Sequence, residues 1–78
     1  MKVTIVMRGT LRNKYGHEER TVEVPEGTTC SRALEAIGIN YKEEPKFGVV
    51  SVNNMRTDIE TELKDGDYMK AFSRVYGG

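Results

Sequence analysis

Hydrophobic and polar residues alternate in three separate stretches of the chain, residues 2–8, 19–24 and 68–73. Successive side chains of a β-strand point to opposite faces, so this alternation predicts strands with one face in a core. The expected inward residues are Val3, Ile5, Met7, Val22, Val24, Met69 and Ala71. The first two segments predict an antiparallel hairpin, with residues 9–16 as a long connection and not a second core element.

After the second predicted strand, the spacing of apolar residues changes to that of an α-helix. Pro25 cannot donate to a β-ladder, so the strand is expected to stop there. Apolar residues then recur with the spacing of one helix face, at Cys30, Ala33, Leu34 and Ile37. Thr28 or Thr29 can cap the first turn, and Gly38 is placed to end the helix. A helix of about nine residues is marginal by itself, so we expect it to dock on the sheet.

The second half of the chain alternates between apolar segments and turn signals. Residues 39–46 are polar and contain a proline, so we expect a loop. The apolar run 47–53 is typical of a strand that is buried on both faces for part of its length. Because asparagine tolerates positive φ, the Asn53-Asn54 pair predicts a tight turn that leads into a short partner strand.

A second turn is expected just before the last strand. Residues 57–62 are acidic and weakly patterned, and Leu63 is a predicted core anchor. Asp65-Gly66-Asp67 then has the composition of a turn. The two carboxylates allow acid–base chemistry as an alternative, but their position on either side of a glycine favours hydrogen bonding to the turn backbone.

Composition narrows the class of protein. The 78 residues suit one small domain, and 12 basic residues balance 12 acidic ones, which argues against a nucleic-acid partner. A single cysteine excludes an internal disulfide and an iron–sulfur cluster. The first residues lack a signal-peptide pattern and no apolar run reaches membrane-spanning length, so we expect a cytoplasmic protein without a membrane partner.

Two other side chains invite chemical roles. Cys30 lies near a helix N-terminus, where a thiol can become reactive, but it shares the apolar stripe and is better explained as a small core residue. His17 lies in a polar segment next to Glu18 and Glu19. A metal site needs more ligands than this segment offers, so we predict a solvated histidine and no bound metal.

The chain ends in Gly77-Gly78, a pair of residues without side chains that can enter a narrow channel. The predicted element order, the Asn53-Asn54 turn, the Leu63-Lys64-Asp65-Gly66-Asp67 segment and this diglycine together resemble the MoaD/ThiS family of sulfur carriers. The resemblance spans the whole chain and implies an α+β, β-grasp (ubiquitin-like) fold. We therefore expect a mixed sheet of four to five strands with one main helix on one face, over residues 1–73, and a flexible tail over residues 74–78.

The resemblance also implies a chemistry for the C-terminus. Gly78 would be adenylated by a ubiquitin-activating-type enzyme that uses ATP, and then converted to a thiocarboxylate that donates sulfur in cofactor biosynthesis. Gly77 would let the tail pass through the channel. The chain itself would be a carrier and not an enzyme, and it would bind no cofactor. Its length resembles the molybdopterin-type carriers more than the thiamine type, so a larger synthase subunit or a sulfur-accepting enzyme is a further expected partner.

Partner binding is expected on the sheet face opposite the helix. If the first and last strands are neighbours, as the resembled fold implies, Phe72 and Val6 form an apolar patch there. Arg74, Val75 and Tyr76 of the tail are expected to add contacts at the channel mouth. For Phe72, packing at the edge of the core remains an alternative.

Two other functions stay open from the sequence. A ubiquitin-like modifier would use the same tail to join Gly78 to lysines of other proteins. A plain β-grasp interaction domain would use the sheet and have no tail chemistry.

Overall fold

The computed structural model describes residues 1–9, 11, 19–43 and 47–73. Five strands and a helix follow one another along these residues: β1 (Lys2–Arg8), β2 (Glu19–Glu23), α1 (Cys30–Ala36), β3 (Phe47–Val52), β4 (Met55–Thr57) and β5 (Tyr68–Ser73). The strands form one sheet in the order β2-β1-β5-β3-β4. β1 and β5 pair in parallel, and the other neighbours are antiparallel. This mixed sheet confirms the predicted α+β, β-grasp fold.

The core lies between α1 and one face of the sheet. The predicted inward residues of β1 and β5 are at most 1% exposed, which confirms the alternation. Cys30, Ala33 and Leu34 of α1 are fully buried against them, while Ile37 and Val22 are partly buried at the edge of the same cluster. Each fully buried large side chain contributes about 2 kcal/mol relative to exposure, so docking on the sheet stabilises a helix of only seven residues.

Both ends of α1 follow the sequence signals. The Thr29 side chain caps the N-terminus and accepts a hydrogen bond from the Arg32 N–H. At the other end Gly38 has φ +87°, its N–H donates to the Glu35 carbonyl, and the Ile39 N–H donates to the Leu34 carbonyl. These two bonds form a Schellman motif, which needs the left-handed backbone that glycine adopts readily.

Two residues of predicted polar loops belong to the core. Leu11 is fully buried, although it lies in the segment 9–16 that was expected to be a connection and not a core element. Ile39, placed in a polar loop by its neighbours, is 1% exposed because the Schellman motif turns it back onto Leu34. Residues 12–18, which include His17, and residues 44–46 lie outside the described part of the chain.

The two predicted turns are present. Asn53 and Asn54 have φ of 52° and 69°, the left-handed pair that a two-residue hairpin between β3 and β4 requires. In β3 the neighbours Val50 and Ser51 are both buried although they point to opposite faces, which confirms the expected two-sided burial. No helix in the described ranges is long and apolar enough to cross a membrane.

Candidate functional site

The site of interest is the end of the sheet at which β5 finishes. Phe72 pairs with Arg8 of β1, and Ser73 pairs with Phe47 of β3, so the ladder with β1 runs to Phe72 and the ladder with β3 reaches Ser73. The chain therefore leaves the middle of the sheet and not its edge. The tail residues that sequence analysis singled out, Arg74, Val75, Tyr76, Gly77 and Gly78, lie outside the described residues, and their roles stay predictions.

Gly9 lies against Ser73 at this end of the sheet. Its φ of +66° is in the left-handed region, which glycine adopts readily. A Cβ atom placed on Gly9 would overlap the Ser73 hydroxyl oxygen and would lie 3.2 Å from the Ser73 Cβ. The Ser73 side chain thus occupies space that is available only because residue 9 has no side chain.

The opposite end of β5 is fixed by the turn at residues 65–67. One oxygen of the Asp67 carboxylate accepts a hydrogen bond from the Asn53 side-chain amide at 2.9 Å, and the other accepts from the Lys64 N–H at 2.7 Å. The Asp65 carboxylate accepts from the Lys2 N–H at 2.7 Å. Both carboxylates therefore stabilise turn and strand backbone, as predicted, and acid–base chemistry is not needed to explain them.

The sheet face opposite α1, here called the outer face, is less apolar than expected. Val6 points to this face but is only 3% exposed, so the prediction of an exposed Val6 is wrong. The Tyr68 hydroxyl donates to the Glu19 carboxylate at 3.2 Å. Because Tyr68 pairs with Thr4 and Glu19 pairs with Val6, this bond spans β1 and brings the Tyr68 side chain over it. Burial, followed by the hydrogen bond to Glu19, raises the pKa of the Tyr68 phenol.

Phe72 remains half-buried on the outer face, two residues beyond Lys70, the partner of Val6 on β5. The predicted neighbourhood of Phe72 and Val6 is therefore present, but of these two side chains only Phe72 offers apolar surface to a partner. Its direct neighbour on β1 is Arg8, which is exposed. A shallow hollow of about 160 Å³, lined by Val6, Arg8, Glu19 and Tyr68, lies beside it.

The outer face is basic on the side of β3 and β4. Lys70, Ser51 and Arg56 stand in one row across β5, β3 and β4. The Lys70 ammonium donates to the Asn54 side-chain oxygen at 3.0 Å and lies 5.8 Å from the centre of the Tyr68 ring. The Ser51 hydroxyl between the two cations is buried without a hydrogen-bond partner. Arg8 lies on the other side of β5, on β1, so Phe72 has a basic residue beside it on β1 and Lys70 two residues before it on β5.

Cys30 is a core residue and not a nucleophile. Its side chain is fully buried, and burial, aided by the negative charge of Asp67, raises the pKa of the thiol to about 11. Since the thiolate is the reactive form, the thiol is suppressed at neutral pH. No group of three or more potential metal ligands occurs within the described residues.

Sequence reasoning missed two contacts at this site, the Tyr68–Glu19 bond and the packing of Ser73 on Gly9. Both join residues that are far apart in the sequence. The one local signal was a glycine placed directly after the first predicted strand, where the structure needs positive φ.

Comparison with known proteins gives the family. A model of the ThiS family matches residues 5–78. A Pyrococcus furiosus protein assigned as molybdopterin converting factor subunit 1 is 28% identical, with a TM-score of 0.74 over 96% of this chain and 99% of that chain. No curated protein matches.

Two further solved structures share the fold at lower identity. The protein SAMP1 of Haloferax volcanii is 21% identical, with a TM-score of 0.79 over all of both chains. A Helicobacter pylori complex of subunits 1 and 2 of molybdopterin-converting factor contains a chain that is 22% identical, with a TM-score of 0.61 over all of both chains. With the β-grasp fold observed and the family match covering nearly the whole sequence, the chain belongs to the ThiS family of ubiquitin-like proteins.

Proposed function

We propose that this protein is a sulfur carrier that bears sulfur as a thiocarboxylate on the C-terminal carbon of Gly78. The observation that carries the proposal is the ThiS-family match, which runs from residue 5 of β1 through Gly78 and so includes the diglycine. The body of the domain supports it, because the strand that precedes the tail is central in the sheet and is paired with β1 up to Phe72 and with β3 at Ser73.

The proposed chemistry has two steps, adenylation and sulfur transfer, and both take place on a partner enzyme. A carboxylate is a poor acylating agent, so a Gly78 oxygen first attacks the α-phosphorus of ATP and pyrophosphate leaves. A hydrosulfide-level sulfur donor then attacks the carbonyl carbon, AMP leaves and the thiocarboxylate forms. The carrier supplies the carboxylate and the reach. Five extended residues beyond Ser73 span at most about 17 Å, which is enough to enter a channel.

We propose that the outer face docks the carrier on the adenylating enzyme. Phe72 is half-buried, one residue before the end of β5, with Arg8 beside it on β1 and Lys70 two residues before it; Arg56 lies farther out, in the row of Lys70. Apolar contact at the centre with charges around it is the usual anatomy of a specific interface. The proposed surface continues into the tail through Arg74, Val75 and Tyr76. Val6 is buried beneath the side chains of this face.

A larger synthase subunit is a second proposed partner, and a molybdopterin-type pathway is favoured over a thiamine-type one. The 28% identical relative is assigned as molybdopterin converting factor subunit 1, and the Helicobacter pylori neighbour is a complex of subunits 1 and 2 of that factor. Sulfur transfer to an acceptor in such a complex would again use Gly78 and no catalytic side chain of the carrier.

The alternative function is a ubiquitin-like modifier joined through Gly78 to lysines. Its support is the fold likeness to SAMP1, a second crystal structure of which names it small archaeal modifier protein 1. Intact-mass measurement of the protein purified from its own cells separates the two functions. A carrier shows a species in which sulfur replaces one terminal oxygen, whereas a modifier appears as conjugates that retain Gly78 on target lysines.

A variant that lacks Gly78 tests the tail itself. It should show neither the thiocarboxylate species nor conjugates. Full biological function without Gly78 would refute both proposals in favour of an interaction domain.

The docking proposal is tested by Phe72→Asp, with Met55→Asp as a matched control. Met55 is 73% exposed, but its neighbour Arg56, and not Met55, is on the outer face. Phe72→Asp should weaken binding to the adenylating enzyme at least about tenfold, because it places a carboxylate at the interface centre. Met55→Asp should leave binding unchanged, and equal behaviour of the two variants would show that the docking surface lies elsewhere.

A further inference from the structure

We propose that the row of Lys70, Ser51 and Arg56 on the outer face receives a carboxylate of the adenylating enzyme, and that the Ser51 hydroxyl donates to this carboxylate between the two cations. This role rests on the proposed docking of the outer face. It adds the chemical group that the enzyme presents and the atom that this group meets. Ser51 has no part in the docking surface described above, so its binding role is new.

Ser51 is a buried polar residue on the open face of the sheet. It is 7% exposed, and its hydroxyl oxygen has no hydrogen-bond partner among the described residues. Val50 and Val52 on either side of it pair with Ala71 and Met69 of the core, so the Ser51 side chain points to the outer face. A buried polar group without a partner is rare and costs free energy. The hydroxyl therefore indicates a position that a group from outside the chain completes.

The cross-strand neighbours of Ser51 cannot supply the acceptor that its O–H lacks. Lys70 on β5 and Arg56 on β4 are its direct partners, and ammonium and guanidinium groups only donate hydrogen bonds. The Lys70 ammonium donates to the neutral side-chain oxygen of Asn54 and can donate further bonds. Neighbouring strands are about 4.8 Å apart, so the two cations start about 10 Å apart with Ser51 midway. The row thus offers three donor side chains to one carboxylate, which has acceptor positions on both oxygens.

The other half of the outer face favours a folded protein as the source of the carboxylate. Glu19 and Glu23 of β2 pair with Val6 and Lys2, which alternate with the core residues of β1, so both glutamates are on the outer face at its opposite edge. An extended anionic surface, such as a membrane or a nucleic-acid backbone, would meet these glutamates as well as the cations. A single carboxylate on a protein surface meets only the row, to which its charge is complementary.

The variant Ser51→Ala separates a binding role from a structural one. Removal of an unpaired buried hydroxyl should leave the urea midpoint unchanged or raise it. The same variant should bind an adenylating enzyme that accepts the wild-type chain about tenfold more weakly in calorimetry, because a hydrogen bond to a carboxylate is lost. A lower urea midpoint would show that the hydroxyl has a partner within the domain, and an unchanged affinity would show that the enzyme does not contact it. Either result overturns the proposal.

Charge removal in the row is compared with the same change on the other face of the sheet. Arg56→Gln and Lys70→Gln should each weaken binding at least about threefold and make it less sensitive to salt. Arg20→Gln is the matched control, since Arg20 is also exposed on an edge strand but pairs with Ile5 and so lies on the α1 side. Its affinity should stay within about twofold of wild type. Equal losses at Arg20 and Arg56 would indicate attraction by net charge and would overturn the site.

A small carboxylate tests the site without any enzyme. N-acetylglutamate is titrated into the isotope-labelled chain at constant ionic strength, with neutral N-acetylglutamine as the control. The amide NMR signals of Ser51, Arg56 and Lys70 should shift at least about threefold more with the carboxylate, and Ser51→Ala should remove most of this difference. Equal shifts with the two probes, or larger shifts with inorganic phosphate, would overturn the carboxylate site. Failure of every adenylating enzyme to bind the wild-type chain would instead count against the proposed function, and the response to N-acetylglutamate would still decide whether the site exists.

Discussion

Replacement of Cys30 by alanine should change how the stability of the domain depends on pH. The chain has a single cysteine, fully buried, and burial with the negative charge of Asp67 raises the thiol pKa from about 9.0 to about 11. Between these two values the unfolded chain releases a proton that the folded chain retains. Rising pH therefore favours unfolding in this range, and below pH 9 the thiol contributes no pH dependence.

The size of the effect follows from the shift of the pKa. Each unit corresponds to about 1.4 kcal/mol, so wild type should lose roughly 2 to 3 kcal/mol through this group as pH rises from about 9 to about 11. Urea unfolding of wild type and Cys30→Ala at several pH values measures it. The smaller side chain costs a constant amount, and the other titrating groups are common to both proteins. The stability difference between them isolates the thiol.

The expected result is a wild-type advantage over Cys30→Ala that is constant up to about pH 9 and shrinks by 2 to 3 kcal/mol toward pH 11. A difference that stays constant over this range would refute the reasoning. The result bears on function, because a thiol protected in this way does not carry sulfur at neutral pH.

Two other predictions concern the body of the domain. Asp67→Ala removes two hydrogen bonds to a carboxylate and should lower the free energy of unfolding by about 2 kcal/mol. Asp65→Ala removes one such bond and should cost about half as much. Both losses are measured by urea unfolding, and equal losses would contradict the structure. Leu11→Ala should cost about 3 kcal/mol, similar to Leu34→Ala, because both side chains are fully buried. A loss below about 1 kcal/mol would show that Leu11 is not a core residue.

Much of the fold could be predicted because its signals are local. The alternation of apolar and polar residues predicted the inward faces of β1 and β5. The spacing of apolar residues from Cys30 to Leu34 predicted the face of α1 that contacts the sheet. The turn at Asn53-Asn54 depends only on the tolerance of asparagine for positive φ. Such features need no knowledge of which strands are neighbours.

The features that could not be predicted depend on that knowledge. Val6 is buried in the middle of the sheet between Glu19 and Lys70, and the Tyr68 hydroxyl bonds to Glu19 across 49 residues of sequence, so no local pattern around Val6 indicates its burial. Leu11 has no apolar neighbours in the sequence, and its burial depends on tertiary packing that a local pattern does not show. For the candidate site, the sequence indicated the tail residues but not how the end of β5 is held, because that depends on contacts with β1 and β3.

The central position of β5 has a mechanical consequence. A partner that pulls on the chain beyond Ser73 applies force along a strand that is hydrogen-bonded to β1 in parallel and to β3 antiparallel. Such a load acts in shear on two ladders together, so their bonds must break collectively and not one after another from a free edge. The domain should therefore resist unfolding when force is applied to its C-terminal end.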